Sequence, residues 1–112
     1  MKEILIIDYG VGNIRSVMRG VEICGFQPKL SSKSHDIKTA SKIILPGVGA
    51  FSSGMHALKS SGWETWIKHL WCSADRPLLG ICLGMQLLAS QGDEGASEGD
   101  SVDGLDLIPG CV

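Results

Sequence analysis

The chain has 112 residues, 44% apolar and 20% charged, with a formal net charge of −2. That composition belongs to a soluble globular protein, and the length suits one domain, not two. No run approaches the roughly 18 consecutive apolar residues of a membrane span, so no membrane association is expected.

Ile4 to Ile7 is a continuous apolar run of four residues ended by Asp8. It reads as a strand buried on both faces of a parallel sheet and not as a signal peptide. With no export signal, a reducing cytoplasm and free thiols are expected. The turn-forming stretch Asp8-Tyr9-Gly10-Val11-Gly12-Asn13 follows. Asn13 can cap a helix in which Ile14, Val17, Met18 and Val21 recur at helical spacing, and Gly25 stops it. Phe26 to Leu30 is a weaker second strand, and Ser31 to Ser41 is polar and turn-rich, with room for a short helix.

Lys42 to Leu45 is the third strand, cut off by Pro46-Gly47. A helical region runs from about Ser53, breaks at Ser60-Ser61-Gly62 and resumes at Trp63. In the resumed helix Trp63, Trp66, Ile67, Leu70 and Trp71 share one wide apolar face, a core face or a partner surface. Leu78 to Ile81 is the fourth strand, and a helix begins immediately after Cys82. Ser90 to Ser101 reads as a mobile acidic loop, and Leu105 to Ile108 as the start of a fifth strand.

Strands alternating with helical patterns predict βαβ units and an α/β fold with a doubly wound, mostly parallel sheet. In such sheets sites form where strand C-termini meet the following loops. Three segments fall there: 8–13, 46–51 and 80–86.

Charge is unevenly spread. Residues 1–76 carry ten basic and six acidic side chains, a balance of +4, whereas residues 77–112 carry six acids and no Lys or Arg. No nucleic-acid footprint is present, and Lys29, Lys33, Lys38 and Lys42 read as a solvated loop face. The four cysteines are scattered with no C-x-x-C pair, so neither a zinc site nor a disulfide scaffold is indicated. Cys24, Cys72 and Cys111 read as small apolar filler.

Cys82 differs from them. Gly80-Ile81-Cys82-Leu83-Gly84 has the G-x-nucleophile-x-G pattern of a nucleophile elbow, in which a sharp strand-to-helix turn leaves no room for a Cβ on either side. The turn would set the sulfur over a helix N-terminus, where N–H groups and the helix dipole favour thiolate. An unperturbed thiol of pKa about 8.5 is only about 3% ionised at pH 7, so a base is still desirable. The N–H of Leu83 is one natural donor to a tetrahedral oxyanion, and Pro46-Gly47-Val48-Gly49 can turn a second N–H inward, even by a peptide flip. Taken alone, Cys82 is equally readable as a nucleophile or as a small buried residue.

Together, Asp8-Tyr9-Gly10-Val11-Gly12-Asn13, Leu45-Pro46-Gly47-Val48-Gly49-Ala50-Phe51, Gly80-Ile81-Cys82-Leu83-Gly84-Met85-Gln86-Leu87-Leu88, Gly104-Leu105 and Leu107-Ile108-Pro109-Gly110 carry a family likeness over nearly the whole chain. In their order and spacing the chain resembles the class I (triad-type) glutamine amidotransferases, and within them the glutaminase subunits of imidazole glycerol phosphate synthase in histidine biosynthesis. The resemblance implies a flavodoxin-like sheet, truncated here after about the fifth strand, so that residues 1–112 are a single partial domain lacking the C-terminal half. It implies that the Cys82 thiolate attacks the side-chain amide of glutamine, giving a γ-glutamyl thioester and ammonia, and that water then releases glutamate. Leu83 and Val48 would supply the oxyanion N–H groups, while Gly47, Gly49 and Gln86 would line the glutamine site. Asn13 would lie near a (β/α)8-barrel cyclase, the heterodimer partner that takes the ammonia. No cofactor and no metal are implied.

The family's general base is a histidine in an H-x-E arrangement well beyond the elbow. The only histidines here are His35, His56 and His69, all upstream, and none is followed two residues later by an acid. None is expected to substitute. A general base typically contributes 10² to 10⁴-fold, and triad members fail as a unit, so little turnover is expected of these 112 residues alone. An exposed sheet edge and apolar surface are expected too, so that such a chain self-associates, binds a complementary piece or is a fragment of a longer protein. Two further readings stand beside this one. A non-catalytic remnant would bind partners through its tryptophan face. The other is a paralogue serving surface-sugar amidation; Asp106, where the family often has glycine, and the acidic 90–101 loop mark divergence without deciding between the two pathways.

Overall fold

The computed structural model describes residues 2–73 and 76–112. Four strands, β1 (Glu3–Ile7), β2 (Gln27–Ser31), β3 (Ile43–Leu45) and β4 (Leu78–Gly80), form a parallel sheet in the order β2-β1-β3-β4. Period-two alternation divides the side chains of β1 between two cores. Leu5 and Ile7 point to one side with Ile43 and Leu45, beneath α2 (Phe51–Ser60) and α3 (Trp63–Ser73). Ile6 points to the other with Ile44 and Val21, beneath α1 (Ile14–Ile23). Helices therefore cover both faces, as the alternating pattern predicted. Each fully buried Ile or Leu stabilises the fold by about 1.5–3 kcal/mol, which makes β1 and β3, each with three consecutive buried residues, the centre of the sheet.

Local chemistry sets the element ends. The Asn13 side chain accepts from the Ser16 N–H at 3.5 Å, a long N-cap bond. After α1 the chain reverses through Gly25 at φ +87°. The polar stretch after β2 contains a 3-10 helix, Ser34–Thr39. Its last carbonyls are gathered by Arg76, whose Nη1 donates to Ile37, Lys38 and Ala40 oxygens at 2.8, 2.8 and 2.9 Å. The α2–α3 break falls at Ser61-Gly62, where both serine hydroxyls of the last turn bond back to helix carbonyls.

Several expectations need correction. The second α-helix starts at Phe51, not Ser53, because Phe51 is fully buried and anchors its first turn. The helix after Cys82, α4 (Leu83–Gln86), is a single turn. The chain then enters a second, three-stranded sheet of β5 (Ala89–Gly92), β6 (Val102–Asp103) and β7 (Ile108–Cys111), ordered β6-β5-β7. Ser90 to Gly92, read as loop, are thus strand, because the Ser90 and Gln91 carbonyls accept from the Gly104 and Val112 N–H groups. Leu105 to Leu107 are not strand. They bond to Leu87, Ala89 and Leu88 carbonyls as a tight crossover, and the strand begins only at Ile108.

Cys24 and Cys111 are exposed, not core filler, since each lies at or beyond the end of an element on its outer side. The side chain of Cys72 lies outside the described residues. The tryptophan helix buries only part of its face. Trp63 and Ile67 are core, Trp66 is half-buried beneath the Lys38 ammonium at 4.8 Å, and Trp71 is 46% exposed. Leu79, in β4, is 57% exposed, an apolar side chain on a strand that among the described residues is paired on one side only. No helix among the described residues is long and apolar enough to cross a membrane.

Candidate active site at the elbow

β1, β3 and β4 are parallel, so the loops that follow them emerge at one end of the sheet. Cys82 lies in the last of these, at φ 54°, ψ −121°. That is the mirror image of an extended conformation, a region that costs a side-chain-bearing residue about 1–3 kcal/mol. Two glycines make the turn possible. A Cβ on Gly80 would stand 2.6 Å from Met85 Cα, and one on Gly84 would run into the Leu45 carbonyl, with Pro46 O at 3.0 Å. Both obstacles are backbone and cannot swing aside. The Cys82 thiol is free and exposed.

The loop after β3 lies against this turn. A Cβ on Gly47 would meet Gly84 N at 2.8 Å and Leu83 Cβ at 2.9 Å, so the segment approaches the elbow at backbone distance. The Gly47 carbonyl accepts the Leu83 N–H at 3.3 Å. Leu83 N–H is therefore occupied. The next N–H, of Gly84, bonds to the Ile81 carbonyl at 2.9 Å, and those of Met85 and Gln86 bond to the Cys82 carbonyl. A one-turn helix with its first N–H groups paired supplies little of the dipole field that a longer helix would. Val48 is 54% exposed, and Gly49 has φ +105°. Gln86 ends α4 and is half-buried.

The loop after β1 forms the third wall. The Tyr9 hydroxyl donates to the Pro46 carbonyl at 2.6 Å, and burial raises its phenol well above the usual range. Trp63 Nε1 donates to the Asp8 carbonyl at 3.2 Å. Asn13 is exposed at the start of α1. The structure thus brings Gly47, Leu83 and the Cys82 turn into contact. It places Asn13 on the neighbouring loop, at the head of α1.

Tyr9 and Trp63 were not singled out for the site from the sequence. Tyr9 sits within a recognised loop, but nothing in its spacing shows where the hydroxyl points. Trp63 reads as core, which it is, and its single donor reaches the loop only in three dimensions. The histidines sit elsewhere. His35 is beside Asp36 at 3.7 Å, His56 is on the exposed side of α2, and His69 meets Trp66 edge-on on α3. A cavity of about 470 Å³ lies between β5, β7 and the 93–101 turns, lined by Asp93, Glu98 and Asp100, and includes no residue of the elbow.

A parallel α/β sheet that holds a strained cysteine at a strand-to-helix turn defines a protein of the nucleophile-elbow type. Solved structures share the fold. A glutamine amidotransferase crystal structure superposes with a TM-score of 0.69 at 19% identity, covering 80% of this chain and 46% of that one. A putative peptidase E protein from Listeria monocytogenes gives 0.73 at 14% identity, covering 96% and 63%. Residues 5–96 match the family described as glutamine amidotransferase class-I, and the chain belongs to it. Its relatives include imidazole glycerol phosphate synthase subunit HisH 1 of Prochlorococcus marinus, 51% identical over 110 residues and 97% of this chain. HisH 2 of Nitrobacter winogradskyi is 44% identical over the whole of this chain, and HisH of Methanosarcina mazei 46%. The chain spans about half the length of these curated relatives, 51–53%.

Proposed function

We propose that residues 1–112 form the nucleophile-bearing part of a class I glutaminase domain, the ammonia-supplying subunit of an imidazole glycerol phosphate synthase, working in the cytoplasm with a (β/α)8-barrel cyclase. The observation that carries this reading is the Cys82 turn: an exposed sulfur on strained backbone, flanked by glycines that backbone atoms leave no room to replace. A structural cysteine has no need of that conformation.

In this mechanism the Cys82 sulfur attacks the amide carbon of glutamine, and a C–S bond forms as the carbonyl oxygen takes up negative charge. Collapse expels ammonia, whose third hydrogen is the proton the Cys82 thiol gave up, and leaves a γ-glutamyl thioester. Water hydrolyses the thioester to glutamate and regenerates the thiol. The developing oxyanion needs donors aimed at it. Leu83 N–H serves once the Gly47 carbonyl leaves it, and a rotation of the Gly47–Val48 peptide both removes that carbonyl and turns the Val48 N–H toward the same point. The resting bond between Gly47 and Leu83 therefore keeps the site idle until the loop turns. Gly47, Gly49 and Gln86 border the glutamine pocket, and Asn13 faces the cyclase. The general base comes from outside these residues.

A chloromethyl ketone bearing the α-amino and α-carboxyl groups of glutamine tests the reading. It is expected to alkylate Cys82 at least tenfold faster than chloroacetamide does, with free glutamine protecting, as followed by intact-mass spectrometry. Equal rates without protection would refute a glutamine site.

A further inference from the structure

Tyr9 has no part in the chemistry just described, yet it is 6% exposed and uses its one polar atom on the loop beside the nucleophile. Satisfying a buried hydroxyl would account for any partner at all. The choice of partner says more. The Pro46 carbonyl belongs to the Pro46–Gly47 peptide, the plane immediately before the one whose oxygen covers the Leu83 N–H. A Cβ on Gly47 would also stand 2.6 Å from the Tyr9 oxygen, so the hydroxyl lies directly over the Gly47 Cα.

The loop that carries Tyr9 is itself anchored. Trp63, fully buried at the start of α3, donates to the Asp8 carbonyl one residue earlier. Hydrogen bonds thus run from α3 to Asp8, from Tyr9 to Pro46, and from the N–H of Leu83, the residue after Cys82, to the Gly47 carbonyl. Of the two peptide planes around Gly47, the first is held by a buried phenol. The second is held by a longer bond of 3.3 Å, next to an exposed Val48 and a glycine in the left-handed region.

We infer that Tyr9 is a positioning residue for the elbow. Its hydroxyl holds the Pro46–Gly47 peptide as a fixed pivot, so that the Gly47 carbonyl is seated on the Leu83 N–H and leaves it by rotation of the following peptide alone. The inference rests on the reading of Leu83 and Val48 as oxyanion donors, but its first readout does not depend on glutamine.

Tyr9→Phe keeps the buried ring and removes the donor. In this variant of the 112-residue chain the Leu83 amide is expected to exchange with solvent about tenfold faster than in the parent, by residue-resolved NMR. The Leu5 and Ile43 amides, which bond to Lys42 and Pro77 carbonyls within the sheet, are expected to change less than about twofold. An unchanged Leu83 amide, or parallel loosening of all three, would overturn the inference, since a merely structural tyrosine gives one or the other. Para-aminophenylalanine at position 9, which retains a donor, is expected to restore Leu83 protection. If Tyr9→Phe does not fold, para-aminophenylalanine is compared with para-fluorophenylalanine, a non-donor of similar size, and equal Leu83 exchange overturns the inference. Alkylation by the glutamine-like chloroketone is expected to fall about tenfold in Tyr9→Phe while chloroacetamide reacts as before. Should the parent itself show no preference for the chloroketone, the glutaminase reading fails, and the exchange comparison still decides the role of Tyr9.

Discussion

Replacing Cys82 by glycine is expected to stabilise this protein, against the usual direction. At an ordinary position, Gly in place of Ala costs about 0.5–1 kcal/mol because the unfolded chain gains freedom. At φ 54°, ψ −121° any side chain costs about 1–3 kcal/mol, and glycine occupies the same backbone as readily as its mirror image. The sulfur is exposed, so little packing is lost with it. Comparing Cys82→Gly with Cys82→Ala cancels the loss of the thiol and leaves the difference between strain relief and unfolded-state entropy, about 1 kcal/mol in favour of glycine. Unfolding entropy of about 2.1 cal/mol/K per residue over a chain of this length makes that about 4 °C in Tm. Urea titration at constant m and a thermal melt read it directly. If the glycine variant is less stable than the alanine variant by the ordinary 0.5–1 kcal/mol, the turn is unstrained and the argument from backbone conformation to a nucleophile fails.

Gly84→Ala is expected to destabilise by about 3 kcal/mol or more, because the new Cβ runs into the Leu45 and Pro46 carbonyls, which are main chain; urea unfolding checks this, and a loss under 1 kcal/mol would show that the elbow can open. Arg76→Ala releases three carbonyls at the end of the 3-10 helix and is expected to cost about 1.5–3 kcal/mol. Arg76→Lys would recover only part of this, since all three bonds come from Nη1 and the lysine nitrogen sits one bond nearer the backbone. The Ser31 hydroxyl, bonded to Asp36 at 2.6 Å, holds that carboxyl below the usual aspartate range, with Lys29, His35 and Lys33 adding to the effect and burial opposing it. A depressed folded-state value means a contribution present above the unfolded-state value of about 3.9 and lost as pH falls through the folded one. Stability in urea should therefore fall more steeply below about pH 4 in the parent than in Asp36→Asn; identical slopes would remove Asp36 from the acid response.

Much of the fold was legible because its signals are local. A four-residue apolar run between charged or turn residues has few alternatives to a buried strand, and Asn13 and Gly25 mark the ends of α1 whatever surrounds them. The second sheet was not legible for the opposite reason. Ser90, Gln91 and Gly92 have the composition of a loop and become strand only because Gly104 and Val112 reach them from the far side of the acidic turns. The extent of the tryptophan face failed similarly. Periodicity places Trp63 and Trp71 on one stripe, and only the position of α3 over the sheet decides that the first is core and the last is open.

By itself the sequence determined the parallel α/β architecture, the elbow at Cys82 and the membership of an amidotransferase family, since apolar period, glycine spacing and motif order are all properties of neighbours along the chain. Tertiary structure alone decided how the site is held. That the Gly47 carbonyl occupies the Leu83 N–H, and that Tyr9 and Trp63 brace the loop that puts it there, depends on residues 37 and 55 positions apart meeting through single hydrogen bonds. Such bonds have direction as well as proximity, and direction is set only when the sheet and its helices are in place.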